Sequence, residues 1–254
     1  MPQPLISVIM PVFNGERYIG AALRSLLREN NLRLDIIVVD DGSTDGTIHI
    51  VNQLAAANSG IRVINGPHAG VSKARNTGLA AVPASAAYIT FLDSDDLNVP
   101  GRISRQLSLL ACRNDIDCVI GLMQLFEAAD EETCAALADS RTMTIRSVQL
   151  AAALFRKNVF DRLGGFNEEM QHGEDTDFFL RLLESGISYI AEDELAVMYR
   201  RHSDNMTNDI AKTRRGFVDA IRRSLVRRRI SGTVADLGDL FKTRSTAEEA
   251  FRND

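Results

Sequence analysis

The chain has little with which to build a disulfide framework, cross a membrane or grip a dinucleotide. Its three cysteines, Cys112, Cys118 and Cys134, are odd in number and lack the paired spacing of a metal site. That usage suits a reducing compartment, and hence the cytosol, better than an oxidising one. No apolar run approaches the roughly 18–20 residues that span a bilayer. Leu5–Val12 carries neither a basic leader nor a small-residue cleavage site, so it reads as a strand and not as a signal peptide. No Gly-x-Gly-x-x-Gly follows that first apolar run, which argues against a dinucleotide-binding oxidoreductase. There is no internal repeat and no low-complexity linker.

What remains is an ordinary globular composition, 45% hydrophobic and 25% charged over 254 residues, enough for one large core or two small ones. The net charge of −5 hides an asymmetry. Between Arg200 and Ile230 ten basic residues face three acidic ones, so this arm is about +7 and the remainder about −12. A basic arm on an acidic body suggests an anionic surface as a partner.

The first half alternates strand and helix patterns. Strands are expected at Leu5–Val12, 34–39, 61–64 and 87–92, with helices at 18–27, 45–57 and 71–81. Repeated β-α units of this length imply a largely parallel sheet covered by helices, with ligands at the carboxyl ends of its strands. The second half is less regular. Helices are expected at 100–110, 156–163 and 175–185, the last stopped by Gly186, and strands at Cys118–Phe126, 188–191 and 195–199. The acidic stretch 128–138 has no clear pattern. Residues 212–230 form a basic amphipathic helix in which Phe217, Ile221 and Leu225 recur every fourth residue.

The fourth strand delivers Asp93, Asp95 and Asp96 within four positions. Close carboxylates repel unless a cation or a proton relieves them. Asp93 and Asp95 have the Asp-x-Asp spacing that a divalent ion with oxygen ligands can bridge. The competing reading is a helix cap, since Asp is a favoured cap residue.

Company elsewhere decides between them. Ser7–Asn14 with Ile37–Asp45, then Gly70–Gly78, then Phe91-Leu92-Asp93-Ser94-Asp95-Asp96 resemble the opening of a family 2 glycosyltransferase. Leu163-Gly164-Gly165-Phe166 and Gly173-Glu174-Asp175-Thr176-Asp177-Phe178 resemble that family's acceptor-side motifs. The matches run in family order to about residue 206. The resemblance implies a GT-A fold, Rossmann-like with a mostly parallel central sheet, flanking helices and a C-terminal helical extension. Residues 1–206 would form the transferase domain, with a nucleotide-sugar-binding half to about residue 96 and an acceptor-binding half after it, and 207–254 the basic extension. It further implies an inverting, metal-dependent transfer of a sugar from a nucleotide-diphosphate donor, UDP-linked by first choice, to an acceptor hydroxyl in cell-surface glycan or polysaccharide synthesis.

The same resemblance distributes roles. Pro11, Val12, Phe13 and Asn14 would hold the base, Phe13 offering a ring face. Asp40 would accept the uracil N3–H, and Arg75 would pair with phosphate oxygens or the base. Asp93, Ser94 and Asp95 would meet the nucleotide sugar, and Asp95, Asp93 and His202 the Mn²⁺ or Mg²⁺. Asp95 is the first choice as ligand, although Asp93 and Asp96 stay open. His202 could equally be structural. Asp175 would be the base, against the alternative that acidic residues simply favour a helix start. His49, His68 and His172 receive no role.

Two rivals stand beside this reading. A nucleotidyltransferase on a related fold would want a Gly-rich, Lys-containing loop after the first strand, which Pro11-Val12-Phe13-Asn14-Gly15 is not. A non-catalytic nucleotide- or glycan-binding module would not need every carboxylate. The acceptor is expected to be a glycan or a lipid-linked glycan. The 212–230 helix is a solvated face, a peripheral membrane contact at the inner face, or a partner helix. Nucleic acid is not expected, because no aromatic stacking platform accompanies the charge.

Overall fold

The computed structural model describes residues 3–232. Its N-terminal half is a run of β-α units: β1 (Leu5–Val12), α1 (Ile19–Leu27), β2 (Arg33–Asp40), α2 (Thr47–Ala57), β3 (Ile61–Asn65), α3 (Val71–Ala80) and β4 (Ala86–Phe91). There follow β5 (Leu97–Asn98), α4 (Arg102–Cys112), β6 (Cys118–Phe126), a small hairpin of β7 (Ala129–Asp130) and β8 (Ala135–Ala136), and β9 (Thr142–Ile145). The rest is β10 (Ala153–Arg156), α5 (Asn158–Leu163), α6 (Glu174–Glu184), β11 (Tyr189–Arg200) and α7 (Ile210–Ser231).

Among the described residues one sheet of nine strands runs in the order β3-β2-β1-β4-β10-β6-β11-β5, with β9 added on β6. The first four strands are parallel. β10 is antiparallel to both β4 and β6, and β6 and β11 are again parallel. The strand order turns back between β1 and β4. In such sheets ligands bind at the carboxyl ends of the strands where the order reverses. The loops after β1 and β4 carry Phe13 and Asp93.

Both faces of the sheet are covered, so its strands read as continuous apolar runs. Alternate residues of β1 enter different cores: Val8, Met10 and Val12 pack with α1, while Ile9 packs with Ala74 of α3. At Gly78 a Cβ would lie 2.5 Å from Ile9 Cγ2, so α3 approaches the strand closely there. On the α3 side, six phenylalanines (Phe91, Phe155, Phe160, Phe166, Phe178 and Phe179) meet with ring centroids 5.2–6.2 Å apart. Phe91 ends β4 and Phe178 lies in the second turn of α6, so the cluster fastens α6 to the strand that leads to Asp93.

The expected N-terminal elements differ from the observed ones by no more than two residues at either end. Larger differences lie beyond that half. The expected helix 156–163 begins only at Asn158, because Ala153–Arg156 pairs with Thr90, Ile89 and Tyr88 of β4 as a strand. Strands 188–191 and 195–199 are one strand, β11, interrupted by register shifts between Ala191 and Val197. The patternless 128–138 contains the β7–β8 hairpin. Pro100 stands outside α4, whose N-cap is Gly101 at φ +76°. The 212–230 helix extends to Ile210–Ser231, capped by Asp209 accepting from the Lys212 amide. The remainder of the expected 207–254 extension, from residue 233, lies outside the described residues.

Phe178→Ala should destabilise the fold by about 3–5 kcal/mol in urea titration, because it opens a cavity in a fully buried ring cluster. A loss under 1 kcal/mol would mean that α6 is not held by this cluster.

Candidate active site

The loops at the strand ends are tied to one another by short polar side chains. Asn14, at φ +49°, donates its amide to Ser43 Oγ (2.8 Å), and its Oδ1 accepts from the Thr44 amide (2.8 Å). Asp40 ends β2 opposite Val12 of β1, is nearly buried, and accepts from the Ser43 amide at 3.2–3.3 Å. Asp41 accepts from the Ala69 and Gly70 amides at 2.8 and 2.7 Å. It thereby fixes the loop that starts α3, where Gly70 sits at φ +94°. Phe13 is 45% exposed, with its ring 4.0 Å from that of His68. The sequence offered no role for His68 or Asp41; the structure places both on the rim around Phe13 and Asp40.

α3 carries Arg75 into the middle of the site, buried to 3% exposure. Its Nη2 donates to Asp93 Oδ1 at 2.9 Å, and its Nη1 donates to Glu174 Oε1 at 2.7 Å and to Asp175 Oδ1 at 2.8 Å. The Phe166 ring lies 5.7 Å from the guanidinium carbon. Arg75, expected to meet the donor, is thus enclosed by three carboxylates that arrive from the β4 loop and from the start of α6. Burial alone would lower the Arg75 pKa, but the charges of Asp175, Asp93 and Glu174 outweigh it and hold the pKa above its ordinary value. The Asp93 pKa is also raised, which for a carboxylate disfavours the charged form. Burial raises its pKa, Arg75 offsets part of that, and Asp95 adds to it.

Asp95 faces the other side. Its Oδ2 lies 3.0 Å from His202 Nε2 and 3.3 Å from Asn205 Nδ2. His202 is therefore brought to Asp95 across more than a hundred residues, beside the ring of Tyr18 at 4.7 Å. Arg200 closes the back of the loop. Its amide donates to Asp96 Oδ1 (3.0 Å), its Nε donates to the Asp95 carbonyl (3.0 Å), and its guanidinium sits between the Tyr18 and Phe126 rings. Asp96 is fully buried, and its Oδ2 has no hydrogen-bond partner among the described residues. Burial, with Asp95 and Asp93 beside it, pushes its pKa well up.

These residues fit a divalent cation in a particular way. Among the described residues no three His, Cys, Asp or Glu side chains close around a common point. Asp95 Oδ2 and His202 Nε2, 3.0 Å apart, offer two donors on one side of a carboxylate cluster short of positive charge. A hard ion of the Mg²⁺ type is commonly held by one or two protein groups and completed by substrate phosphates and water. Asp93 is turned away from that pair toward Arg75, and Asp96 toward the Arg200 amide.

The base candidate Asp175 and its neighbour Glu174 open α6, after Gly173 at φ +80°. Ser94 lies between the two poles of the site, with its Oγ beside Gly15. The expected site residues fall in two groups at the carboxyl ends of the strands: Phe13, Asn14 and Asp40 around the β1 and β2 ends, and Arg75, Asp93, Asp95, Asp175 and His202 around the β4 end. Pro11 and Val12 are instead buried as the last residues of β1, with Val12 in the core against α1. Asp96, left open as a metal ligand by the sequence, instead accepts from the Arg200 amide, and Glu174, Asn205 and Arg200 were not anticipated as partners in the site. Only the adjacency of Glu174 to Asp175 could have pointed to one of them.

Among solved structures, a mannosyltransferase from Pyrobaculum calidifontis, in complex with GDP-Man and Mn²⁺, has the same fold, with a TM-score of 0.69 and 18% identity over 93% of this chain and 67% of that one. The uncharacterized glycosyltransferase EpsJ of Bacillus subtilis is 31% identical over 221 residues, 80% of this chain and 63% of that protein. The Escherichia coli protein WfgD, a UDP-Glc:α-D-GlcNAc-diphosphoundecaprenol β-1,3-glucosyltransferase, is 35% identical over 122 residues, 48% of this chain and 46% of that one. The chain spans less than two thirds of each of these two relatives. The model of the family described as glycosyl transferase family 2 matches residues 7–163. That match takes in β1 through α5, the whole sheet apart from β11, and by it the chain belongs to glycosyl transferase family 2.

Proposed function

We propose that this protein is an inverting, metal-dependent glycosyltransferase that moves a sugar from a UDP-sugar to an acceptor hydroxyl in cell-surface glycan synthesis. The observation that carries the reading is the meeting of Asp93 and Asp175 on one buried guanidinium, which sets a donor-side carboxylate and an acceptor-side carboxylate on either side of Arg75. Phe13 supplies an exposed ring for the base, with Pro11, Val12 and Asn14 shaping the loop, and Asp40 accepts the N3–H. Asp93 and Ser94 face the ribose and diphosphate. Asp95, with His202, would hold Mn²⁺ or Mg²⁺, which when bound neutralises the charge that gathers on a departing diphosphate. Asp175 takes the proton of the acceptor hydroxyl as the new C1–O bond forms and the C1–phosphate oxygen bond breaks, so the proton ends on Asp175 and the electron pair on the nucleoside diphosphate. A single displacement inverts the anomeric centre.

Arg75 enters this scheme as a positioning residue. Bound to Glu174 and Asp175 through one nitrogen and to Asp93 through another, it fixes the base relative to the donor loop. The WfgD likeness supports a UDP donor and a lipid-held acceptor, and the acceptor half, with β7–β9 and the loop before α6, would select it. The enzyme then works against the inner membrane face, although no helix among the described residues is long and apolar enough to cross a membrane.

A screen of nucleotide sugars with Mn²⁺ should find UDP release from at least one donor, abolished by EDTA and restored by Mn²⁺ or Mg²⁺. Transfer that EDTA leaves unchanged would remove the metal from the scheme. Asp175→Asn should bind UDP as the parent does while transfer falls by roughly 10²–10⁴-fold; full transfer by a folded variant would reassign the base. Arg75→Met, which leaves three buried carboxylates without their cation, should lose about 3–5 kcal/mol in urea titration. An unchanged midpoint would mean that the three acids do not depend on it.

A further inference from the structure

α7 presents two faces of opposite kind. Thr213, Gly216, Ala220, Ser224 and Arg227 are turned toward the body, with Ala220 and Ser224 fully covered. At about 3.6 residues per turn, Ile210, Phe217, Ile221 and Leu225 fall on one outer stripe, with Val218 at its edge. These five are exposed by 37–54%. An apolar stripe of that length left in water on a monomer calls for a partner.

The charges beside the stripe say which kind. Arg214, Arg215, Arg222 and Arg229 lie on the exposed half of the helix, and none has an ion-pair partner among the described residues. Arg223 and Arg227, on the inner side, are instead paired with Asp219, Glu169, Asp177 and Glu184. Among the described residues Arg223 and Arg227, against the body, meet carboxylates, whereas Arg214, Arg215, Arg222 and Arg229 meet none. A stripe of Phe, Ile and Leu flanked by unpaired arginines is complementary to an apolar layer beneath a negatively charged surface. An acidic protein partner would meet the arginines but not the full length of the stripe.

The geometry points to this outer face of α7 as the surface on which the protein lies against an anionic lipid bilayer. It deepens the reading of a lipid-held acceptor, although its test needs no transfer reaction. It also fixes an orientation. Gly216 touches the backbone of His172 and Gly173, where a Cβ on Gly173 would come within 2.6 Å of the Gly216 carbonyl carbon. The residues after Gly173 are Glu174 and Asp175. A bilayer under α7 therefore lies on the side of α6 and its first residues, where a lipid-borne acceptor hydroxyl would arrive.

The test is co-sedimentation of the full chain with sucrose-loaded vesicles of phosphatidylcholine, with and without one-third phosphatidylglycerol. Binding is expected only with the anionic lipid. Joint replacement of Arg214, Arg215, Arg222 and Arg229 by Gln should weaken it by ~100-fold or more. Phe217→Ser with Ile221→Ser should weaken it at least tenfold at unchanged charge. Thermal melting and UDP-sugar hydrolysis without vesicles should match the parent in both variants, which shows that the fold and the donor site are intact. No binding to anionic vesicles, equal binding by either variant, or a solution dimer that the serine substitutions dissolve would each overturn the assignment. Vesicle binding without any UDP release would instead overturn the transferase reading and leave this one standing.

Discussion

One buried cation shared by three carboxylates sets the arrangement of the site. Arg75 is shared by Asp93, Glu174 and Asp175, and it offsets only part of the burial that, with Asp95 and Glu174 nearby, raises the pKa of Asp93. Removing charges from water is costly unless they are paired, so this cluster persists only because its geometry is over-determined. α3 is pinned at its start by Asp41 and along its length by contact with β1 at Gly78. α6 is pinned by the phenylalanine cluster, whose member Phe166 also lies beside the guanidinium. The apolar core and the polar site are therefore one construction: the rings hold the helices at the separation that one guanidinium spans.

The opposite pole follows similar logic with different parts. The Asp95 and Asp96 loop is held from behind by Arg200, itself packed between Tyr18 of the β1–α1 loop and Phe126 at the end of β6. Glu131, before the β7–β8 hairpin turns back, pairs with Arg24 and Arg200. A segment from the second half of the chain thus rests on α1 in the first. This makes a division of the chain near residue 96 a matter of roles more than of separate bodies, since β4 and β10 are neighbours in one sheet.

Where local pattern decided structure, the sequence was readable. β1 and β6 have the expected bounds, because each is an apolar run buried on both faces, β1 ending in the Phe13-Asn14-Gly15 loop and β6 lying between Asp117 and Glu127. β5, β9 and β10 escaped, being two to four residues long and strands only through their neighbours. β11 looked like two strands because Glu192, Asp193 and Glu194 interrupt its apolar pattern, and Glu192 is buried there against Arg105 and Gln106. The ordered motifs come together in the fold, since each marks a strand end or a helix start. They could not reveal that Arg75 turns to carboxylates 18, 99 and 100 residues away, because a buried and a solvated arginine have the same letter and the same helical position.

The attachment of α7 differs in kind from that of the sheet. Its inner face offers Gly216, Ala220 and Ser224, which allow close approach of backbones but bury few methyl groups. Its grip comes largely from Arg227 on Asp177 and Glu184 and from Arg223 on Glu169. Ion pairs weaken as salt rises, while apolar burial does not. Salt therefore reaches the exposed Arg223–Glu169 pair most, and the pairs of Arg227 with the buried Asp177 and Glu184 least, so α7 loosens more than the phenylalanine core as ionic strength rises.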